Sequence, residues 1–170
     1  MIPDEPVRGH REIRLREAVI EDAGLILRFV RELAAYERAA AEVTATEGDI
    51  RTSLFGGEAT AKALICDIDG VAAGFAVYFF NYSTWLGRRG LYLEDLYVSP
   101  DFRRAGAGRA LLRHLARTAV SLDCGRMEWN VLDWNEPAIR FYESIGAEPL
   151  NEWVAYRLAG EALESFANET

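Results

Sequence analysis

The first part of the chain shows strand-like and helix-like patterns of apolar residues in turn. Residues 13–17 alternate apolar with polar side chains, which predicts a short strand. Asp22 can cap a following helix, because apolar residues then recur at spacings of three and four up to residues 36–37. A second, shorter helix is predicted over residues 46–54, and a pair of glycines ends it.

The middle of the chain predicts a run of three strands. Residues 61–68 and 71–80 are rich in β-branched and aromatic side chains, and an Asp-Gly turn of the kind found in hairpins joins them. Residues 91–98 form the third predicted strand, which a Ser-Pro pair closes. The polar and glycine-containing stretch between the last two strands, residues 81–90, is predicted to be a loop.

The last part of the chain changes to a helical period. An apolar stripe and a row of three arginines predict a helix that follows residues 103–108. The elements predicted after it are a strand over 127–132, a helix over 135–146, a strand over 153–158 and a tail helix over 160–167. The order β-α-α-β-β-β-α-β-α-β-α is typical of one α/β domain with a mixed sheet, and no internal repeat or linker interrupts it.

The composition narrows the classes of partner. The 170-residue chain has a formal net charge of −8, so we expect no nucleic-acid partner and an attraction for cationic small molecules or basic peptides. Cys66 and Cys124 provide neither a disulfide framework nor a metal-binding pair, and no metal is expected. Residues 1–11 lack an apolar signal segment and no stretch has the length of a membrane span. We therefore expect a cytoplasmic protein with no membrane partner.

A glycine-containing turn before the Arg-rich helix is the most informative segment. Gly106 and Gly108 permit close approach of the backbone to an anion, and a helix start presents unpaired N–H groups and the positive end of a dipole. Arg103, Arg104 and Arg109 add positive charge within an acidic chain. This combination predicts a bound pyrophosphate. The alternative is a simple turn followed by a solvated row of arginines.

Other phosphate and catalytic motifs do not match. The Walker pattern requires Gly-Lys-Ser/Thr where Arg109 and Ala110 stand, and the dinucleotide fingerprint requires a glycine where Leu111 stands. The two histidines, His10 and His114, have no Ser or Cys partner nearby in sequence. That argues against a hydrolase triad and against a histidine-based metal site.

The turn matches a known signature. Arg103-x-x-Gly106-x-Gly108 fits the R/Q-x-x-G-x-G/A signature of GCN5-related N-acetyltransferases (GNAT), and residues 13–167 resemble their diamine acetyltransferase family, which includes spermidine/spermine and thialysine enzymes. The further motifs that carry the resemblance are Tyr36-Glu37, Tyr92-Leu93-Glu94-Asp95, Asp133-Trp134-Asn135-Glu136-Pro137 and Phe141-Tyr142-Glu143. The resemblance implies a GNAT fold, in which helices flank a mixed, mostly antiparallel central sheet. It also implies a single N-acetyltransferase domain over residues 1–170, with a core of about 13–167.

The resemblance implies an acetyl-CoA site along the third strand and the turn. The end of the strand would pair with the pantetheine arm, the Val98 N–H would face the thioester carbonyl, and the turn would wrap the pyrophosphate. The residues implied to bind acetyl-CoA are Leu96, Tyr97, Val98, Arg103, Arg104, Ala105, Gly106, Ala107, Gly108, Arg109, Asn135, Glu136, Pro137 and Ala138.

The resemblance also implies two catalytic residues. Tyr142 would protonate the departing thiolate, since a phenol with an ordinary pKa of about 10 stays protonated at neutral pH. Glu94 would be the general base that removes a proton, through water, from the substrate ammonium. The structural alternatives are an aromatic packing role for Tyr142 and a hydrogen-bonded structural carboxylate for Glu94.

Alternation along the third strand predicts the side of the sheet on which Glu94 lies. In a regular strand, Glu94 shares a face with Tyr92, Leu96 and Val98, while Asp95 points to the opposite face. We therefore expect Glu94 to point where the Val98 side chain points.

The implied acceptor is the primary amine of a small molecule, either a diamine, a polyamine or a thialysine-like amino acid, acetylated by direct attack in a ternary complex. Carboxylates and aromatic faces suit a second cationic group on such a substrate, although each glutamate is alternatively ordinary surface charge. The match at Glu152 is weaker, because the segment after Gly146 is shorter than in the mammalian polyamine enzymes. The residues implied to contact the amine are Tyr36, Glu37, Glu94, Glu128, Trp129, Asn130 and Glu152.

Two alternative functions stay open at this point. The chain could acetylate lysine in a protein or peptide, which an acidic groove would serve equally well. A CoA-binding sensor without turnover, or an anion-binding structural domain, is the alternative of a different class. The presence of both Tyr142 and Glu94 argues against it. Because family members commonly pair through their C-terminal regions, a homodimer is also expected.

Overall fold

The computed structural model describes residues 11–169 of the chain. They form two compact units, one that ends at Asn130 and one that begins at Val131. Residues 1–10, which include His10 and most of the segment considered for a signal peptide, lie outside the described residues.

The first unit is built on a five-stranded sheet. Its strands are β1 (Ile13–Glu17), β2 (Ala61–Ile68), β3 (Val71–Ser83), β4 (Arg88–Val98) and β5 (Met127–Trp129). They lie in sequence order across the sheet. Neighbouring strands are antiparallel except β4 and β5, which are parallel. The prediction of a mixed, mostly antiparallel sheet is therefore confirmed.

Three helices of the first unit pack around this sheet. They are α1 (Ala23–Tyr36), α2 (Glu47–Phe55) and α3 (Ala107–Ser121). The second unit contains α4 (Glu136–Glu143) and α5 (Gly160–Ala167). Among residues 11–169, no helix combines the length and hydropathy that a membrane crossing requires.

A core between α1 and one face of the sheet holds the first unit together. Phe29 of α1 stacks on Phe75 of β3 with ring centroids 5.6 Å apart, and Tyr97 of β4 lies beside Phe29 at 6.1 Å. All three side chains are buried. Burial of such aromatic side chains is the main favourable term that fixes α1 on the sheet.

The antiparallel pair of β3 and β4 is longer than predicted. Pairing between β3 and β4 continues through Asn81–Gly90, Tyr82–Arg89 and Ser83–Arg88. Most of the loop expected over residues 81–90 is therefore strand, and only 84–87 turn. Polar composition predicted a loop, but cross-strand hydrogen bonds stabilise polar residues in a two-stranded ribbon equally well.

Of two other predicted strands, one is shorter than predicted and one is absent. β5 ends at Trp129, not at residue 132, and residues 153–158 form no strand. The side chains of this segment are exposed, and that of Tyr156 is 95% exposed. Aromatic and β-branched content predicts a strand, yet a strand needs a hydrogen-bonding neighbour, and residues 131–169 contain no strand that could pair with it.

Asp22 precedes α1 as predicted, but its side chain does not cap that helix. Its carboxylate accepts the Val19 N–H at 2.8 Å and pairs with the Arg16 guanidinium at 2.6 Å. The hydrogen bond from Arg16 lowers the pKa of Asp22 below its usual value. Asp22 therefore ties β1 to the turn before α1.

Candidate active site

One edge of β4 is left open beyond its midpoint. Parallel pairing between β4 and β5 stops at Leu93 and Trp129, while pairing of β4 with β3 continues to Val98. From Glu94 onwards, no described strand neighbours β4 on the β5 side. An open strand edge presents backbone N–H and C=O groups that an extended ligand can use as a further strand would.

A β-bulge lies where the two strands separate. Asp95 pairs with Val77 and Leu93 pairs with Tyr78, so Glu94 is an extra residue without a partner in β3. A bulge reverses the alternation of side chains that follow it. In this chain the bulge lies next to the last residue pair between β4 and β5.

The bulge makes the predicted alternation wrong, in which Tyr92, Leu96 and Val98 share one face and Asp95 lies on the other. Tyr92 pairs with Phe79 and Leu96 pairs with Ala76, three residues away in β3, so Tyr92 and Leu96 lie on opposite faces. Asp95 lies on the same side of the sheet as Tyr92, towards α1, rather than opposite to it. Both interact electrostatically with Glu94.

The hydrogen-bonding direction of Val98 follows from the ladder. The Ser99 N–H donates to the Ala73 carbonyl at 2.8 Å, so Ser99 and Ala73 form a hydrogen-bonded pair. The next pair along the ladder, Val98 and Gly74, is then a non-hydrogen-bonded pair. The N–H and C=O groups of Val98 in such a pair point away from β3. The Val98 N–H therefore points to the open edge, and by the same alternation so does that of Leu96.

Tyr97 lies between these two residues and differs from them. Its N–H and C=O face β3, and its ring belongs to the core against α1. Of the three strand residues expected along the cofactor, two therefore expose their backbone at the open edge.

The predicted anion turn leads from β4 into α3. Arg104 has φ 63° and Gly106 has φ 94°, and Gly106 is the N-cap of the helix without a side-chain cap. Positive φ values next to a helix start turn successive N–H groups towards one point, which is an anion-binding arrangement. Arg104 and Arg109 are exposed beside it. These residues fit a diphosphate.

The remaining turn residues keep the backbone close to β4. Ala107 is buried, whereas Ala105 is half-buried. A Cβ at Gly108 would lie 3.8 Å from the Leu96 side chain. The helix start therefore lies close to Leu96 of β4.

Arg103, predicted as a cofactor contact, is directed to protein groups. Its Nε–H donates to the Val98 carbonyl at 3.1 Å, and its guanidinium lies 4.8 Å from the centroid of the Tyr36 ring. Tyr36 is the last residue of α1. Arg103 thus links the end of β4 to the end of α1.

Three carboxylates gather where α1 ends near the bulge. Burial raises the pKa of Asp95 to about 6, and the negative charges of Glu94 and Glu37 add to the effect. Burial also raises the pKa of Glu37, the residue after α1. A cation placed among these groups would relieve their repulsion, so the arrangement suits a bound ammonium.

Tyr92 connects this group to the end of β5, although the sequence did not predict it as a site residue. Its hydroxyl accepts a hydrogen bond from the Asn130 side-chain amide at 2.8 Å. Burial first, and then the charge of Glu94, raise the pKa of Tyr92. Its sequence signal was its place at the start of the motif Tyr92-Leu93-Glu94-Asp95, which does not distinguish it from a packing residue.

Glu128, predicted to contact the amine, already has partners. Its carboxylate pairs with Arg126 at 2.8 Å and accepts the Asn81 side-chain N–H at 3.0 Å. Part of its charge is therefore compensated. Trp129 follows it in β5 and is half-buried.

The other predicted site residues belong to the second unit. Asn135 is the N-cap of α4, and Glu136 pairs with Arg140 one turn later at 2.7 Å. Tyr142 is half-buried in α4, with its ring 5.6 Å from that of Phe141. The second-unit residues predicted for the site are Asn135, Glu136, Pro137, Ala138, Tyr142 and Glu152, of which Glu152 is exposed.

Residues 11–169 contain no group of three or more His, Cys, Asp or Glu side chains arranged to hold a metal ion. Burial raises the pKa of the Cys66 thiol to about 11, which leaves it protonated and unreactive.

Comparison with known proteins adds independent findings. The model of the acetyltransferase (GNAT) family matches residues 28–147, well over half of the chain. This stretch includes the open edge of β4, the anion turn and α4.

Individual relatives match over between about half and nearly all of the chain. The thialysine N-epsilon-acetyltransferase of Mus musculus is 36% identical over 165 residues, which covers 91% of this chain and 96% of the mouse protein. An L-ornithine N5-acetyltransferase of Arabidopsis thaliana is 46% identical over 97 residues, or 57% of this chain and 42% of that protein. Among solved structures, an integron cassette protein of V. cholerae superposes with a TM-score of 0.78 at 27% identity, covering 92% of this chain and 98% of that one.

The Asp95 carboxyl predicts a pH-dependent change in stability. A pKa raised from 3.8 to about 6 means that the folded protein binds this proton more tightly than the unfolded chain. The corresponding stability is present below about pH 4 and is lost as pH rises to about 6. Asp95→Asn should therefore raise the free energy of unfolding by about 1–2 kcal/mol at pH 7.5, compared with a much smaller gain at pH 4.

Urea unfolding at both pH values measures this difference. The matched control is Asp101→Asn, which removes a carboxylate at an exposed position. An equal effect of Asp95→Asn at the two pH values would contradict the raised pKa.

Proposed function

This chain belongs to the acetyltransferase (GNAT) family and is an acetyl-CoA-dependent N-acetyltransferase, and from that premise we propose a small-molecule diamine, polyamine or thialysine-like amino acid as its acceptor. The acetyl group passes directly from acetyl-CoA to the primary amine in a ternary complex. The observation that carries the proposal is the open edge of β4, with an anion turn at its end and carboxylates at its start.

The proposed acetyl-CoA site follows the open edge into α3. The backbone groups of Leu96 and Val98 that point away from β3 pair with the pantetheine arm, and Tyr97 supports the strand from the core. The turn from Arg104 to Arg109 holds the pyrophosphate through N–H groups, the helix dipole and arginine charge. The sequence resemblance adds residues 135–138 as further proposed contacts of acetyl-CoA.

The Val98 N–H is the proposed oxyanion donor. Attack on the thioester places negative charge on its carbonyl oxygen, and a donor already fixed in direction stabilises that charge without reorganisation. The ladder between Ser99 and Ala73 fixes the direction of the Val98 N–H before any substrate binds.

Glu94 is the proposed general base. A primary ammonium with a pKa of about 10.4 is almost entirely protonated at pH 7, and forming the neutral amine costs about 4–5 kcal/mol. Glu94 is exposed at the bulge, where water can reach it, and Asp95 and Tyr92 interact with it. It can therefore accept the proton through water while neighbouring carboxylates hold the cation.

Tyr142 is the proposed general acid for the CoA thiolate. A phenol, with an ordinary pKa of about 10, stays protonated at neutral pH and can donate its proton as the thiolate, the conjugate base of a thiol of pKa about 8.5, departs. This assignment rests on the match of Phe141-Tyr142-Glu143 to the family motif.

The acceptor site proposed for the second cationic group surrounds the carboxylates. Glu37 and Asp95 supply negative charge, and the exposed part of the Tyr36 ring offers a face to a cation. The further proposed contacts are Glu128, Trp129, Asn130 and Glu152. Because Arg126 compensates Glu128, we assign the main attraction to Glu37, Glu94 and Asp95.

We further propose a cytoplasmic homodimer in which residues 1–170 of each chain form one domain, with no metal and no nucleic-acid or membrane partner. Exposed apolar side chains in the second unit, including Trp153, Val154 and Tyr156, support an association through the C-terminal region. Sedimentation equilibrium tests it: a monomer mass at micromolar concentration would exclude the dimer.

An amine panel with acetyl-CoA, read by thiol release, tests the proposed acceptor class. We expect diamines and basic amino acids to be acetylated with higher kcat/KM than a lysine-containing peptide, because the carboxylates recognise a second nearby ammonium. A preference for the peptide would replace small molecules with proteins as acceptors. CoA binding without transfer to any amine would favour a sensor.

Tyr142→Phe should lower kcat by about 100-fold, because it removes the proton donor and keeps the ring. CoA affinity should stay nearly unchanged. Steady-state kinetics and calorimetry measure the two quantities, and Tyr82→Phe, at a tyrosine that is 63% exposed, is the matched control. Full activity of the Phe variant across the pH range would show that Tyr142 is not the acid.

Glu94→Gln should lower kcat/KM by about tenfold or more at pH 7 and by much less near pH 10, where the amine is already neutral in part. A pH–rate profile of both proteins measures this, with Glu58→Gln, at an exposed position, as the control. A loss that is the same at every pH would exclude Glu94 as the base.

A further inference from the structure

Arg103 is the first residue of the anion signature, yet its contacts lead away from the turn. The Nε–H donates to the Val98 carbonyl at 3.1 Å, and the guanidinium lies over the Tyr36 ring at 4.8 Å. One planar side chain thus contacts the strand end and the last residue of α1. A hydrogen bond from an ionised donor is stronger than a neutral one, and a cation over an aromatic ring adds attraction.

The acceptor of this hydrogen bond is the residue that carries the proposed oxyanion donor. The Val98 N–H and C=O point to the open edge together, because Val98 and Gly74 form a non-hydrogen-bonded pair. β3 therefore does not hold either group of Val98. Arg103 is the group that restrains the carbonyl side, and a fixed carbonyl fixes the strand direction at Val98.

A second contact ties the same two elements together one turn earlier. The Ser99 hydroxyl donates to the Glu32 carboxylate of α1 at 3.2 Å. Glu32 also hydrogen-bonds the buried Tyr97, whose pKa burial raises, and the charge of Arg103 acts on Tyr97 in the opposite sense. The junction between α1 and β4 is thus polar and connected, with Arg103 at its outer end.

We propose that Arg103 is a positioning residue, not a pyrophosphate ligand: it orients Val98 for the oxyanion and Tyr36 for the acceptor amine. The catalytic effect of Arg103 rests on the proposed function, whereas its contacts with Val98 and Tyr36 do not depend on that function. This role separates Arg103 from Arg104, which has positive φ and an exposed side chain in the turn itself.

Two variants of similar length separate the two contacts. Arg103→Met removes both the donor and the charge, whereas Arg103→Gln keeps an N–H donor that reaches Val98 and loses the cation over Tyr36. We expect Arg103→Met to lower kcat by about tenfold and to raise the KM for the amine. Arg103→Gln should recover most of kcat but not the amine KM. Calorimetry should give both variants a CoA Kd within about threefold of the unchanged protein.

Arg104→Met is the comparison for an anion ligand and should weaken CoA binding by about tenfold. If Arg103→Met weakens CoA binding as much as Arg104→Met and leaves kcat at saturating acetyl-CoA unchanged, Arg103 is a phosphate ligand and the inference is wrong. Equal kcat and amine KM in all Arg103 variants would also overturn it.

A readout without substrates keeps this inference distinct from the proposed function. In amide NMR spectra of the free protein, Arg103→Met should shift the Val98, Ser99 and Tyr36 resonances, and Arg103→Gln should restore those of Val98 and Ser99. Unchanged Val98 and Tyr36 resonances in Arg103→Met would reject the positioning role even in an active enzyme. If the protein shows these shifts but neither binds CoA nor acetylates an amine, only the proposed function fails.

Discussion

A single extra residue in β4 determines how the candidate site is arranged. Glu94 has no partner in β3, and β5 stops pairing with β4 at the residue before it. The backbone from there to Val98 is left with one open edge, held in place by β3 alone. At the same point the side-chain alternation reverses, which brings Asp95 to the α1 side, where it meets Glu37. The proposed cofactor groove and the proposed acceptor site thus both depend on this bulge.

Negative and positive charge lie at different places along β4 and the turn that follows it. Carboxylates gather at the bulge, while the turn after the strand offers N–H groups, a helix start and arginines. In the proposed function, an acidic protein with a net charge of −8 thus has an anion site and a cation site a few residues apart. The proposed sites would bring a cationic amine and an anionic CoA to neighbouring positions on the same strand, which favours a ternary complex over a covalent intermediate.

Most of the sheet and the helices could be predicted from the sequence, because they depend on local periodicity. The strand over Ala61–Ile68 and the helix over Ala107–Ser121 are examples. The bulge could not, since nothing in Tyr92-Leu93-Glu94-Asp95 marks which residue loses its partner. Nor could the pairing of Glu128 with Arg126, because side-chain partners depend on register. Residues 153–158 failed as a strand, because strand-forming composition does not supply a neighbour.

Calorimetric titration of CoA into the purified protein tests the central claim most directly, since it requires no knowledge of the amine. The open edge of β4 and the turn at Gly106 predict saturable binding of one CoA per chain and much weaker binding of ATP, which has a polyphosphate but no pantetheine arm. No detectable binding of CoA, or equal affinities for CoA and ATP, would contradict this account.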